Sequence, residues 1–204
     1  MKIICIGRNY VEHIKELNNL MPEKPVVFLK PETALLRGNQ PFHYPDISKD
    51  IHYETEIVLR IGTPGRSINQ SAAINHIDAI GVGLDLTARD LQQYAKQKGL
   101  PWEVAKAFDH SAPISDDFIA INQFSDLKNI QFHLEVNGLK KQDGNTGLMI
   151  FPFEQIISYT SDFFSLEKGD LIFTGTPKGV GPIHKGDLLE IFLEGNKMLG
   201  CEIV

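Results

Sequence analysis

The chain is poor in the features that would settle its class at once. Its 204 residues include two cysteines, Cys5 and Cys201. That is too few for a disulfide framework, so stability must come from an apolar core and a reducing cytoplasm is the expected setting. Lys and Arg are nowhere clustered and the formal net charge is -6, which argues against a nucleic-acid partner, because phosphates demand a basic face. Long apolar runs are also missing. The opening Met1-Lys-Ile-Ile-Cys-Ile-Gly7 is too short for a signal-peptide core, and no later segment approaches the ~20 apolar residues of a membrane span, so a soluble, unexported protein without a membrane partner is expected. Repeats, low-complexity tracts and linkers are lacking too. With 42% apolar residues, the chain can bury the core of one domain spanning 1–204.

The pattern along the chain reads as α+β: many short strands with small helices between them. Ile3 to Ile6 begins a strand. Asn9 is the expected cap of a short helix running to about Asn18, with Val11, Ile14 and Leu17 as its apolar stripe and His13 and Glu16 as neighbours. Val26 to Lys30 reads as a buried strand, and residues 37–50 as a loop. A helix from about Ser71 leads into a strand ending at Asp85. Thr87 then reads as the N-cap of a helix that stops near Lys98, with Asp90 as the acidic half of a capping box and Gly99 as the stop. Asn137-Gly138 is a hairpin signal, since both central residues of a type I′ turn need positive φ. A helix over about 153–163 and strands around 171–173, 188–193 and 199–203 complete the reading.

Chemistry concentrates at Glu54 and Glu56, in the run Ile51-His-Tyr-Glu-Thr-Glu-Ile-Val-Leu-Arg-Ile61. Alternation along a strand sends both carboxylates to one face. Polar-out alternation on a wet strand would produce the same pattern, but a third acid, Asp85, stands at the end of an apolar strand, where ligands and catalytic groups often gather. Three carboxylates make a hard oxygen-donor set for Mg²⁺ or Mn²⁺, with Ca²⁺ as a possible substitute. No nucleotide cofactor is expected: Gly81-Val-Gly83 lacks the third glycine of a dinucleotide fingerprint, and Thr174-Gly-Thr-Pro-Lys-Gly-Val-Gly-Pro182 lacks the order of a P-loop. The remaining histidines are scattered without zinc-ligand spacing.

Six ordered motifs carry a resemblance: Gly7-Arg-Asn-Tyr-Val-Glu-His13, Phe28-Leu-Lys-Pro31, His52-Tyr-Glu-Thr-Glu56, Asp85-Leu-Thr-Ala-Arg-Asp-Leu-Gln92, Lys98-Gly-Leu-Pro-Trp102 with Ala105-Lys-Ala107, and Thr174 to Pro182. Over nearly its whole length the chain resembles the fumarylacetoacetate hydrolase family, in particular its short acylpyruvate or fumarylpyruvate hydrolase branch. The resemblance implies a mixed, mostly β sheet roll, a homodimer, and Mg²⁺ or Mn²⁺ held by Glu54, Glu56 and Asp85. It also implies a His13–Glu16 dyad on a short helix within residues 9–20, which acts as a mobile lid over the substrate.

An oxygen-ligated cation with open positions can chelate a 2-oxo acid. A 2-oxo or dioxo acid is therefore the expected partner, and cleavage of an acylpyruvate carbon-carbon bond to pyruvate and a carboxylic acid the expected reaction. Decarboxylation of oxaloacetate, isomerisation or decarboxylation of related dioxo acids, and plain binding without turnover are the alternatives. Glu16 would orient His13 as the base. Lys106 and Gln92 would serve developing negative charge, while Arg89, Lys30, Gly175 and Thr176 would bind substrate. Arg8 and Tyr10 are weaker candidates.

Overall fold

The computed structural model describes residues 1–17 and 20–204. Its largest sheet has six strands in the order Val26–Lys30, Ile3–Gly7, Leu171–Phe173, Thr55–Ile61, Ile77–Leu84 and Ile119–Ala120. Ile3–Gly7 runs parallel to Leu171–Phe173, and the other pairings are antiparallel. A second, antiparallel sheet of four strands is built from Leu139–Asn145, Gln131–Val136, Leu188–Leu193 and Asn196–Glu202. This is the mixed α+β architecture that the alternating short strands predict. No helix among the described residues is long and apolar enough to cross a membrane.

The large sheet is covered on both faces. Ile57, Leu59 and Ile61 join Leu134, Ile191, Leu193 and the helix residues Ile156 and Ile157 in the main core. Val58 faces the other way and packs with Ile3, Cys5, Leu171 and Phe173. Thr55–Ile61 is buried at every position except Arg60, so the alternation at Glu54 and Glu56 does not mark a wet face: both side chains are buried.

The glycines of Gly81-Val-Gly83 now have a packing explanation. A Cβ on Gly83 would lie 2.8 Å from the Phe173 ring, and one on Gly81 2.7 Å from Ser115 Oγ. The hairpin at Asn137-Gly138 has the required φ values of 53° and 75°, and the helix Phe153–Phe163 falls where the apolar spacing puts it.

Three local expectations are corrected. The first helix is Val11–Glu16, with Tyr10 at its N-cap, because the Asn9 side chain has other partners. Its Nδ2 donates to the carbonyls of Phe151 (3.0 Å) and Thr174 (2.8 Å), and its Oδ1 accepts from Phe151 N–H (2.7 Å). Residues 18 and 19, part of the expected helix and lid segment, lie outside the described residues. Val26–Lys30 is an edge strand with half-exposed apolar residues and a buried lysine, not the buried strand that its apolar run suggests. Finally, Thr87 is not a helix cap. It belongs to a two-residue strand, Thr87–Ala88, and the helix Arg89–Lys98 starts from Ala88 without a side-chain cap. Asp90 accepts from Ser48 Oγ instead of closing a capping box.

Asn9 is thus a cross-link between three segments remote in sequence. Asn9→Ala leaves two carbonyls and one N–H without partners in a buried place, so its urea unfolding midpoint should fall by an amount equivalent to about 2–4 kcal/mol with unchanged m-value. A midpoint equal to that of the parent would refute the cross-link.

Candidate active site

Strand register brings the three acids together. Thr55 pairs with Leu84 and Glu56 with Gly83. Continuing that register by one step sets Glu54 opposite Asp85, and Asp85 N–H donates to the Glu54 carbonyl at 2.8 Å. Glu54 and Glu56 share a face by alternation. One oxygen from each of Glu54, Glu56 and Asp85 lies within 4.8 Å of the other two.

Cations surround this triad. Lys106 Nζ contacts Glu54 Oε2 at 2.8 Å, Asp85 Oδ2 at 2.5 Å and Thr87 Oγ1 at 2.6 Å. Arg89 Nη2 reaches Glu54 Oε1 at 2.6 Å while its Nη1 donates to Gln92 Oε1 at 2.8 Å. Lys30 Nζ sits 2.9 Å from Asp85 Oδ1 and donates to the Ser111 carbonyl, Ser111 Oγ and the Lys106 carbonyl. The contact to Asp85 is an ion pair without hydrogen-bond alignment, so Oδ1 is buried without a hydrogen-bond donor. Among the described residues Glu56 has no salt bridge to a lysine or arginine, and it accepts the Gly175 N–H at 2.7 Å.

These contacts divide the acids electrostatically. Burial would raise Glu54, but Lys106, Arg89 and His13 outweigh it and hold the carboxyl well below its ordinary range. For Glu56, burial and the neighbouring charges of Asp85 and Glu54 push the pKa well up, against weaker help from the Gly175 N–H and Lys106. Lys106 is pulled down by burial, yet Asp85 and Glu54 raise it overall, so it stays an ammonium. Two acids are neutralised by fixed cations and the third is starved of positive charge.

That imbalance, the unbonded Asp85 oxygen and the spacing of the three donors all fit a divalent cation. Carboxylate oxygens suit Mg²⁺, Mn²⁺ and Ca²⁺. Glu54, Glu56 and Asp85 are the residues that would hold it.

His13 is buried on the helix Val11–Glu16 and lines the same cavity. Its Nδ1 lies 3.1 Å from Glu16 Oε2, and Glu16 Oε1 accepts the Gly179 N–H at 3.0 Å. The carboxylate orients the ring and leaves Nε2 available. The cavity is also lined by Arg8, Leu17, Phe28, Arg89, Gln92, Lys96, Trp102, Lys106 and Thr176.

The structure therefore gathers His13, Gln92, Arg89, Lys106, Thr176 and the three acids around one cavity. Lys30 and Gly175 stand behind the acids and support them, rather than facing the cavity. Sequence reasoning missed three contributors. Gln142, buried on Leu139–Asn145, accepts from Thr55 N–H and donates to Thr176 Oγ1 and the Pro177 carbonyl, tying the glycine turn to the acid-bearing strand. Ser111 anchors Lys30. Lys96 stands at the cavity mouth, where partial burial and the charges of Arg89 and Arg8 lower its pKa to about 8. Neither Gln142 nor Ser111 has a local signal in the sequence, because each acts only through partners far along the chain.

Arg8 follows Gly7 with φ of 60°, a left-handed conformation that costs about 1–2 kcal/mol for a residue with a Cβ. The clamp made by Asn9 helps to hold it there. Gly175, at φ 100°, packs against the same place: a Cβ on it would lie 2.7 Å from Asn9 Cβ.

Comparison with known proteins agrees with this geometry. The family model described as fumarylacetoacetate (FAA) hydrolase C-terminal matches residues 2–204. Oxaloacetate tautomerase YcgM of Escherichia coli (strain K12) is 43% identical over 197 residues, covering 97% of this chain and 90% of its own. Oxaloacetate decarboxylase, mitochondrial, of Dictyostelium discoideum is 44% identical over 195 residues, 95% of this chain and 89% of its own. Among solved structures, fumarylpyruvate hydrolase from Pseudomonas aeruginosa in complex with Mn²⁺ and pyruvate superposes with a TM-score of 0.94 at 35% identity, covering 100% of this chain and 89% of that one. With the fold, the ordered motifs and the acidic triad in agreement, the chain belongs to the fumarylacetoacetate hydrolase family.

Proposed function

We propose that this protein is a divalent-cation-dependent enzyme acting on oxaloacetate, interconverting its keto and enol forms, with decarboxylation of the same substrate as a secondary activity. The observation that carries this reading is the buried His13, fixed by Glu16 and lining the same cavity as the three acids. The curated relatives named above, an oxaloacetate tautomerase and an oxaloacetate decarboxylase, support it. They favour the decarboxylase and isomerase alternative over the acylpyruvate hydrolase reading. Buried free thiols at Cys5 and Cys201 accord with a cytoplasmic setting.

A cation held by Glu54, Glu56 and Asp85 would supply Lewis-acid polarisation of the 2-oxo group and a fixed seat for the adjoining carboxylate. His13 Nε2 removes a proton from C3, the C3–H electron pair becomes the C2–C3 double bond, and the C2 oxygen takes up the proton that His13 carries. No water and no covalent intermediate are needed. Lys106 and Arg89 provide positive charge beside the oxygen as its electron density grows, and Gln92 holds the Arg89 guanidinium in place. Decarboxylation breaks the C3–C4 bond instead, and its first step requires no base.

Acylpyruvate hydrolysis is the second reading, favoured by the likeness to the fumarylpyruvate hydrolase. There His13 would take a proton from water, which attacks the distal carbonyl. Decarboxylation is separated from the other two reactions by its lack of demand on His13, and tautomerisation is separated from hydrolysis by the product released. His13→Ala should slow oxaloacetate tautomerisation, followed by loss of enol absorbance, about 10²- to 10⁴-fold, and leave Mg²⁺-supported decarboxylation much less affected. Undiminished tautomerisation in this variant would remove His13 from the mechanism. Pyruvate release from acetylpyruvate or fumarylpyruvate at rates exceeding oxaloacetate turnover would favour the hydrolase.

Glu56→Gln provides an independent check on the cation. It deletes a carboxylate that its neighbours repel, so thermal unfolding of the metal-free protein should occur at an equal or higher temperature. Oxalate binding in the presence of Mg²⁺, measured by calorimetry, should be lost. Retained Mg²⁺-dependent oxalate binding would show that Glu56 is not a ligand.

A further inference from the structure

The positive charge in the cavity is unevenly used. Arg89 and Lys106 are committed to Glu54 and Asp85. Arg8 and Lys96 line the same cavity but, among the described residues, form no salt bridge, and Arg8 Nε is buried without a hydrogen-bond partner. Both are gathered on one aromatic plate: the Arg8 guanidinium carbon lies 6.0 Å and Lys96 Nζ 5.5 Å from the centre of the Trp102 ring. Cation–π attraction holds each on the indole, but the two cations repel each other and neither is discharged.

We propose that Arg8 and Lys96, seated on Trp102, form the subsite for the second carboxylate of the substrate, so that the enzyme selects 2-oxo dicarboxylates over 2-oxo acids with a neutral far end. This rests on the oxaloacetate reading above and deepens it. The acidic triad with its cation takes the 2-oxo carboxylate end, and the electrical balance there leaves no call for further positive charge. Three acidic and four basic side chains line the cavity, so a bound divalent cation raises the surplus further, and a dianion answers it better than a monoanion. Arginine suits the task because its planar fork can meet both oxygens of a carboxylate, and its backbone is already fixed in the left-handed region. Lys96, on the exposed face of Arg89–Lys98, adds charge from the mouth.

The test compares oxaloacetate with 2-oxosuccinamate, the same skeleton with a neutral amide in place of the far carboxylate, using Arg8→Met, Arg8→Lys and Lys96→Met. Each ligand's ability to displace oxalate from the Mg²⁺-loaded protein is measured alongside kcat and KM. The parent should prefer oxaloacetate. Arg8→Met should weaken oxaloacetate about tenfold to a hundredfold with little change for the amide or for direct oxalate binding, Arg8→Lys should recover part of the loss, and Lys96→Met should show a smaller loss of the same kind. Equal losses for both ligands, or a preference that survives in both methionine variants, would overturn the subsite. Lys96→Met alters an exposed helix position, so a folding defect at Arg8 does not leave the question open. If the parent binds oxaloacetate through Arg8 and Lys96 but turns over neither ligand, the subsite stands and the oxaloacetate activity falls. If it turns over both ligands without discriminating between them, the subsite falls and the activity stands.

Discussion

Three buried carboxylates in one pocket repel each other, and the local structure is arranged around that repulsion. Unpaired buried charge is among the most expensive things a fold can hold. Here the cost is met in layers: Lys106 bridges Glu54 and Asp85, Lys30 closes the far side of Asp85, and Arg89 closes the far side of Glu54. Glu56 is the acid these fixed cations leave out, and a peptide N–H is a weak substitute for a charge. A pocket that satisfies two acids and underserves a third is predisposed to take up a cation and, with it, an anionic substrate.

This arrangement explains why a lysine occupies the buried end of an edge strand. An apolar run ending in Lys30 is compatible with a buried ammonium and equally with one emerging at the surface. The strand exposes part of its apolar residues at the sheet edge, and the lysine turns inward to Asp85. The burial order is inverted because an electrostatic requirement from Asp85, remote in sequence, outweighs the local preference for a wet lysine.

Much of the site was legible in the sequence because it is encoded by short-range rules. Period-two alternation puts Glu54 and Glu56 on one face, the end of an apolar strand marks Asp85, and i,i+3 spacing pairs His13 with Glu16. The Asn137-Gly138 hairpin and the Phe153–Phe163 helix follow from equally local signals. The failures share one cause. Asn9 has the right chemistry to cap a helix, but its amide serves groups more than 140 residues away. Thr87 likewise could cap a helix, but its hydroxyl accepts from Lys106. Gln142 and Ser111 gain their roles entirely from partners that folding brings to them. Local propensity sets what a side chain can do, while long-range competition decides where it is used.

The segment Thr174–Gly179 connects the two halves of the chemistry. Gly175 N–H bonds Glu56, Thr176 lines the cavity, and Gly179 N–H holds the carboxylate that orients His13. Gln142 fixes this turn to the acid-bearing strand through Thr55. His13 and the acidic triad are therefore referenced to one piece of backbone rather than to two independently placed elements. The proton transfer proposed for His13 would tolerate little error in the position of the ring, and a shared turn keeps that error small.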